Sequence, residues 1–300
     1  MFKGCLVALV TPFRDGAVDH AALTRLVDHV IDGGVDGLVP CGTTGESPTL
    51  SAEEQVAVIA TVVKQAKKRV PVIAGAGSNC TEKTLAASQA AARAGADGLM
   101  LVAPYYNKPS QQGLYEHFSF VAQAARLPIM LYNIPGRCGV EISVETIVRL
   151  RKDHPNIVAV KHATGSIDGA GDLASRSDIT ILSGDDTLTL PLMSLGATGV
   201  VSVIANLLPR EMSDMTHAAA AGDWVKAREV NRRLFPIARG LLQLDTNPIP
   251  IKTALAHRGL VAEEFRLPMC RMDPAKKAKL VELLASSDGA AAPIRVRQFA

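Results

Sequence analysis

The chain has 300 residues, 48% of them hydrophobic and 20% charged, and carries a formal net charge of +3. Such a composition can build a sizeable core, as one large α/β domain or two average ones. The small charge excess, with no basic run longer than Lys67-Lys68-Arg69, argues against a nucleic-acid-binding surface.

The first ten residues hold one lysine and a short apolar run leading into Thr11-Pro12-Phe13. That run is too short for a signal peptide or a membrane span, and it reads as a first strand. No later stretch approaches the length of uninterrupted apolar sequence that a membrane span needs, so a cytoplasmic protein with no membrane partner is expected. Five cysteines, at 5, 41, 80, 138 and 270, show no CxxC spacing and no paired histidines. Reduced thiols are therefore expected, with neither a disulfide framework nor a metal site.

Short apolar runs predict strands at 4–10, 36–39, 71–74, 97–102, 128–132, 157–161, 179–182 and 198–203. Amphipathic stretches between them predict helices, for example at 21–31, 52–66, 84–94 and 113–125. Alternation of this kind implies parallel pairing, in a closed barrel or an open doubly wound sheet. Three echoes favour the barrel: Gly34-Val35-Asp36-Gly37-Leu38, Gly95-Ala96-Asp97-Gly98-Leu99 and Gly196-Ala197-Thr198-Gly199-Val200. In each, a glycine ends a helix and turns the chain into the next strand. No GxGxxG follows the first strand and no P-loop is present, which counts against nucleotide binding. The expected fold is α/β, a (β/α)8 TIM barrel over residues 1–205. Helices at 210–221, 223–244, 250–257 and 274–284 predict a small C-terminal helical extension over 206–285, and 286–300 reads as a flexible tail.

In such a barrel the chemistry collects where the strands end at their C-termini. The sixth strand, Ile157-Val158-Ala159-Val160, closes on Lys161, where burial would lower the amine's pKa and make it a nucleophile. A tip that simply reaches water, or pairs with a carboxylate, is the plain alternative. The second strand leads into Cys41-Gly42-Thr43-Thr44-Gly45-Glu46-Ser47, whose glycines allow close backbone approach and whose hydroxyls and N–H groups suit a carboxylate or phosphate. Three of the four tyrosines, Tyr105, Tyr106 and Tyr132, follow the fourth and fifth strands, where a phenol can relay a proton. Arg137 is a fork suited to a carboxylate. Asp185 and Asp186 lack convincing metal-ligand company, and N-capping of a following helix accounts for Asp186. Together these residues suit Schiff-base chemistry on a small keto acid, with no metal.

Five motifs carry a family resemblance: Gly42-Thr43-Thr44-Gly45-Glu46, Tyr105-Tyr106-Asn107-Lys108-Pro109, Leu131-Tyr132-Asn133-Ile134-Pro135-Gly136-Arg137, Ser183-Gly184-Asp185-Asp186 and Asn247-Pro248-Ile249-Pro250. With them the chain resembles the dihydrodipicolinate synthase / N-acetylneuraminate lyase family of Schiff-base aldolases, from Met1 to about residue 285. The resemblance implies that Lys161 forms an imine with pyruvate, with no other cofactor. It implies that the derived enamine attacks L-aspartate 4-semialdehyde to give 4-hydroxy-tetrahydrodipicolinate, on the way to diaminopimelate and lysine. Tyr132 would exchange protons beside the imine, with Thr43 and Tyr106 completing the relay. Thr44, Gly184 and the backbone of Val201 would bind pyruvate, and Arg137 would receive the second substrate's carboxylate. Tyr106 would reach a neighbouring subunit's site, which implies a homo-oligomer, usually a tetramer built as a dimer of dimers. Sugar-acid aldolases of the family share the lysine, tyrosine and Gly-Thr turn, but Arg137 favours a short acidic aldehyde. A non-catalytic barrel relative would have lost a member of the lysine, tyrosine and threonine set, and none is missing. A metal-dependent aldolase is the third reading.

Two departures from the family pattern stand out. His162 occupies a place after the lysine where an acid is frequent, although strand alternation turns it away from Lys161. The resemblance also implies a regulatory lysine pocket built with a glutamate and histidines. Asn79 matches it, but Lys83 stands in for the glutamate and Ala52 and Gln55 for the histidines. A cation there repels the effector's ammonium group. L-lysine is therefore expected to inhibit weakly or not at all, and clear inhibition by sub-millimolar lysine in an initial-rate assay would refute this.

Overall fold

The computed structural model describes residues 2–288, with side chains through Ala285. Eight parallel strands form one sheet: Gly4–Ala8, Gly37–Val39, Ile73–Gly75, Gly98–Val102, Ile129–Asn133, Ile157–His162, Thr180–Ser183 and Gly199–Ser202. From the third strand to the eighth, each pairs with the next in sequence. The eighth then pairs with the first, and the first with the second. A parallel bridge between Leu38 and Val72 joins the remaining edges, so the sheet closes into a (β/α)8 barrel.

The strands read as nearly continuous apolar runs because both faces are covered. Alternate residues turn inward and fill the barrel: Leu6, Val39, Ile73, Met100, Met130, Tyr132, Ala159, Leu182 and Val201 are buried in one cluster. Their neighbours, among them Val7, Leu38, Leu101, Leu131, Val160 and Val200, face outward into the core shared with the helices. Packing both faces sets the side-chain phase of every strand, since a one-residue slip would exchange them.

Helices follow the strands at His20–Asp32, Ala52–Ala66, Thr81–Arg93, Gln111–Ala124, Val144–Asp153, Ile167–Arg176, Thr189–Ser194 and Pro209–Ala220. Short polar side chains start many of them; Ser51 and Glu54 form a capping box, and Ser110, Ser143 and Ser166 accept from the first turn. The three echoed glycines, Gly34, Gly95 and Gly196, have φ of +89°, +92° and +102°, so each makes the left-handed turn the sequence predicts. Asp36 and Asp97 in these units accept from Cys5 N and Val72 N at 2.8 and 2.9 Å. The repeat thus fastens each new strand to its neighbour.

The helix Pro209–Ala220 lies against the first strand and the first helix, completing the outer ring. Helices Trp224–Leu244, Ile249–His257 and Pro274–Asp288 form the extension. The first two of these touch the short turns Asp186–Leu188 and Ile204–Asn206, which follow the seventh and eighth strands. The extension therefore reaches the face where strands end. The expected first strand, 4–10, stops at Ala8, and a two-stranded hairpin, Phe13–Arg14 with Ala17–Val18, follows it; two residues per strand leave no alternation to read. The last helix continues to Asp288, three residues into the expected tail, whose remainder lies outside the described residues.

One buried ion pair ties the extension to the barrel. Lys252 Nζ donates to Glu46 Oε1 at 2.5 Å, and both side chains are essentially inaccessible. The ammonium also sits 4.3 Å from the Phe13 ring centroid, and the Arg266 guanidinium lies 4.6 Å from the same ring. Arg266 makes a bidentate bond to Glu54, and its backbone N–H donates to Glu46 Oε2. That bond is the main reason the Glu54 carboxyl is held down at about 2. Removing one partner of a buried pair strands the other charge. Lys252→Met is therefore expected to destabilise the protein by about 3–5 kcal/mol in denaturant unfolding. Adding Glu46→Gln to it is expected to restore most of that loss, and equal losses in the single and double variants would contradict the pairing.

Candidate active site

The sixth strand carries Lys161 at its C-terminal end, in register with Tyr132 on the fifth strand and Leu182 on the seventh. Because Tyr132 and Lys161 are inward-facing neighbours, the amine lies over the phenol ring, with Nζ 4.2 Å from the centroid. Lys161 is only 4% exposed. Burial pushes the amine down to about 8 from its usual 10.5; Asp186 opposes the shift and Arg137 adds to it. At pH 7 such an amine is neutral about a tenth of the time, against roughly three parts in ten thousand for an unperturbed lysine. The site therefore raises the nucleophilic fraction well above that of an exposed lysine.

Tyr132 is buried, and desolvation pushes its phenol up to about 12, opposed by Arg137 and by a hydrogen bond with Thr43. It thus keeps its proton near neutrality and can donate it to a developing oxyanion, with Thr43 as the next link of a relay. Thr43 and Thr44 open the short turn Thr43–Gly45, closed by bonds from Gly45 N and Glu46 N to Gly42 O and Thr43 O. The Gly42-to-Ser47 stretch bends back tightly because Glu46 itself adopts a left-handed conformation, φ +52°, held there by Lys252 and Arg266. Thr44 is buried, and its Oγ1 accepts from Asn247 Nδ2 at 2.9 Å.

Gly184 packs against the lysine: a Cβ there would lie 3.1 Å from Lys161 Cγ and 2.6 Å from Ala163 Cβ. A side chain at 184 would force Ala163 to shift and would crowd the lysine stem. Val201 belongs to the inner cluster with Tyr132. Arg137, on the one-turn helix Pro135–Cys138, is exposed and donates through Nη2 to Asn247 O at 3.0 Å. A cavity of about 890 Å3 gathers Thr43, Tyr105, Tyr132 and Arg137 at one end, a size suited to small molecules. Its other end, between helices Ala52–Ala66 and Thr81–Arg93, is lined by Ala52, Gln55, Asn79 and Lys83, the positions compared above with a regulatory pocket.

One expectation needs correction. Asp186 does not cap the following helix; Asp185 accepts from Thr187 N, whereas Asp186 is buried and accepts from Val203 N and Ile204 N. The extra bonds come from the turn after the eighth strand, which sequence spacing does not reveal. Tyr106 stands apart from the assembled group: it is 88% exposed, with φ +76°. His162 turns outward as alternation requires, its Nε2 meeting Ser166 O and Thr164 Oγ1. The residue that sequence reasoning passed over is Asn247, which touches both Thr44 and Arg137. It was visible only as part of Asn247-Pro248-Ile249-Pro250, a motif far along the chain from either partner. Among the described residues no group of three or more His, Cys, Asp or Glu side chains could hold a metal ion, and no helix is long and apolar enough to cross a membrane.

Comparison with known proteins agrees with this geometry. The model of the dihydrodipicolinate synthetase family matches residues 1–287. A 4-hydroxy-tetrahydrodipicolinate synthase of Hydrogenobaculum sp. (strain Y04AAS1) is 50% identical over 285 residues, covering 95% of this chain and 98% of its own. The crystal structure of dihydrodipicolinate synthase from Aquifex aeolicus superposes with a TM-score of 0.94 at 47% identity, covering 96% of this chain and 98% of that one. The chloride-inhibited dihydrodipicolinate synthase of Acinetobacter baumannii, solved with pyruvate, superposes with a TM-score of 0.93 at 41% identity, covering 96% and 99%.

The perturbed amine can be measured directly. The Nζ chemical shift of Lys161 is expected to titrate with a midpoint near 8. Asp186→Asn removes a negative charge that favours the ammonium, so it is expected to move that midpoint lower. A midpoint at the ordinary lysine value would show that burial does not act on this amine.

Proposed function

The chain belongs to the dihydrodipicolinate synthetase family, and from that premise we propose that it condenses pyruvate with L-aspartate 4-semialdehyde to form 4-hydroxy-tetrahydrodipicolinate. The observation that carries the reading is the desolvated Lys161 amine lying against Tyr132 beside a small-molecule cavity.

In this reading the neutral Lys161 amine adds to the C2 carbonyl of pyruvate. The Tyr132 phenol protonates the oxygen as charge develops there, and water leaves to give the imine. Loss of a C3 proton gives the enamine, whose carbon attacks the aldehyde of the second substrate. The substrate's own amine then closes the ring and displaces Lys161, which restores the free enzyme. The protons move near the phenol, and the hydrogen bond between Tyr132 and Thr43 supplies the relay. Thr44 suits the pyruvate carboxylate: its oxygen already accepts from Asn247, which leaves the hydroxyl proton free to donate. Gly184 makes room beside the lysine, and Val201 lines the adjoining wall. Arg137 at the mouth suits the semialdehyde's carboxylate.

Tyr106 fits an oligomer in which it completes a neighbouring subunit's relay, and dimers pairing into a tetramer belong to the same reading. What supports it is a bulky aromatic held almost fully exposed by a left-handed backbone at the rim of the cavity region. A cytoplasmic location fits as well, since all five cysteines are free thiols.

Pyruvate with borohydride is expected to leave a covalent adduct on Lys161, and the two-substrate assay to yield the cyclic product. Lys161→Ala is expected to abolish the adduct and turnover. Tyr132→Phe is expected to retain the fold and lose about two to four powers of ten in kcat. Turnover of a sugar acid but not of aspartate semialdehyde would overturn the substrate assignment, and a Lys161→Ala protein at parental rate would overturn the mechanism.

A further inference from the structure

Below the catalytic turn lies a second, much smaller cavity of about 10 Å3, lined by Asp186, Asn247 and apolar side chains including Leu241 and Ile251. Two buried acceptors, Asp186 Oδ1 and Asn247 Oδ1, have no protein donor among the described residues. Asp186 is 91% buried by its 9% exposure, and its other oxygen is occupied by Val203 N and Ile204 N. Buried acceptors of this kind are nearly always satisfied, by protein or by ordered water. The volume is near that needed for one water molecule. A metal cation would need several more oxygen ligands than these two side chains supply.

Asn247 has a second and third connection. Its Nδ2 donates to Thr44 Oγ1 at 2.9 Å, and its carbonyl accepts from Arg137 Nη2 at 3.0 Å. With Nδ2 engaged by Thr44, Oδ1 is the atom of the amide left without a partner, on a residue that lines the cavity. A donor there would lock the amide in that orientation, so that Thr44 receives a proton from Asn247 and offers its own to a substrate.

We propose that the cavity holds one water molecule donating to both Asp186 and Asn247, and that Asn247, so held, is a positioning residue that aims the Thr44 hydroxyl at the pyruvate carboxylate. The second half rests on the function proposed above; the first stands on the cavity alone. The residue acts through Thr44, so the signature lies in substrate capture more than in chemistry at Lys161.

A crystal structure of the full-length enzyme tests the water directly. One ordered water within hydrogen-bond distance of both oxygens is expected. A dry cavity, a direct Asn247–Asp186 hydrogen bond through the opposite amide orientation, or an anomalous peak after a rubidium soak would each overturn the assignment. Kinetics test the positioning role. Asn247→Ala is expected to raise KM for pyruvate by about tenfold, the order of one lost hydrogen bond to a charged group, with a smaller change in kcat. Imine trapping should remain complete at saturating pyruvate. Asn247→Asp, nearly the same shape but unable to donate to Thr44, should reproduce the KM effect and serves if the alanine variant does not fold. Unchanged KM in the variants, or a loss confined to kcat, would overturn the positioning role. Parental enzyme that fails to trap pyruvate would instead overturn the proposed function, and the role of Asn247 with it, while leaving the water to be decided by the crystal structure.

Discussion

Desolvation of a single ammonium group governs this molecule. The inner face of the barrel is apolar almost throughout, and Lys161 ends one of its strands with its amine over an aromatic ring. Among the described residues none forms a direct ion pair with it. Asp186 contributes only a longer-range attraction, and Arg137 opposes it. Had Asp186 reached the amine, the group would be a stable ammonium and chemically inert. One of its oxygens is instead engaged by the backbone after the eighth strand. The same burial drives the neighbouring phenol in the opposite direction, so that one environment yields a frequently neutral amine and a protonated acid side by side.

The parts that surround this pair are set from outside the barrel. The segment that bears Thr43 and Thr44 follows a strand of three residues, Gly37–Val39, and consists of two short turns in succession. Such a segment has little regular structure to hold it. Asn247 holds its Thr44, Lys252 holds its Glu46, and Arg266 reaches Glu46, Thr49 and Glu54. All three holding residues come from the helical extension and the loop that follows it. The extension therefore belongs to the chemistry as much as to the packing.

Much of this was legible from residue types alone. The existence and order of strands and helices followed from apolar periodicity, because both faces of each strand and one face of each helix must be buried, though most bounds shift by one to four residues. Helix 52–66 was read to the residue from its amphipathic spacing. Lys161 was conspicuous because a charge closed an apolar run. The failures share one cause. The cap assigned to Asp186 and the part played by Asn247 each depend on a partner distant in sequence. Asn247 lies 203 positions from Thr44, and no local pattern announces such a pairing. The hairpin at Phe13 was missed for the opposite reason, being too short to carry any pattern.

The Glu46–Lys252 pair spans 206 positions, which sets an order of events during synthesis. A nascent chain can emerge through its eighth strand, with the lysine strand and the tyrosine strand already made, before Lys252 has been translated. Until that cation arrives, the Glu46 carboxylate has no counter-charge and must stay in water, so the turn bearing both threonines has no reason to settle. The barrel can thus collapse first and the substrate receptor last. The Lys161 amine and the threonine turn are brought into register only once the segment bearing Lys252 has left the ribosome.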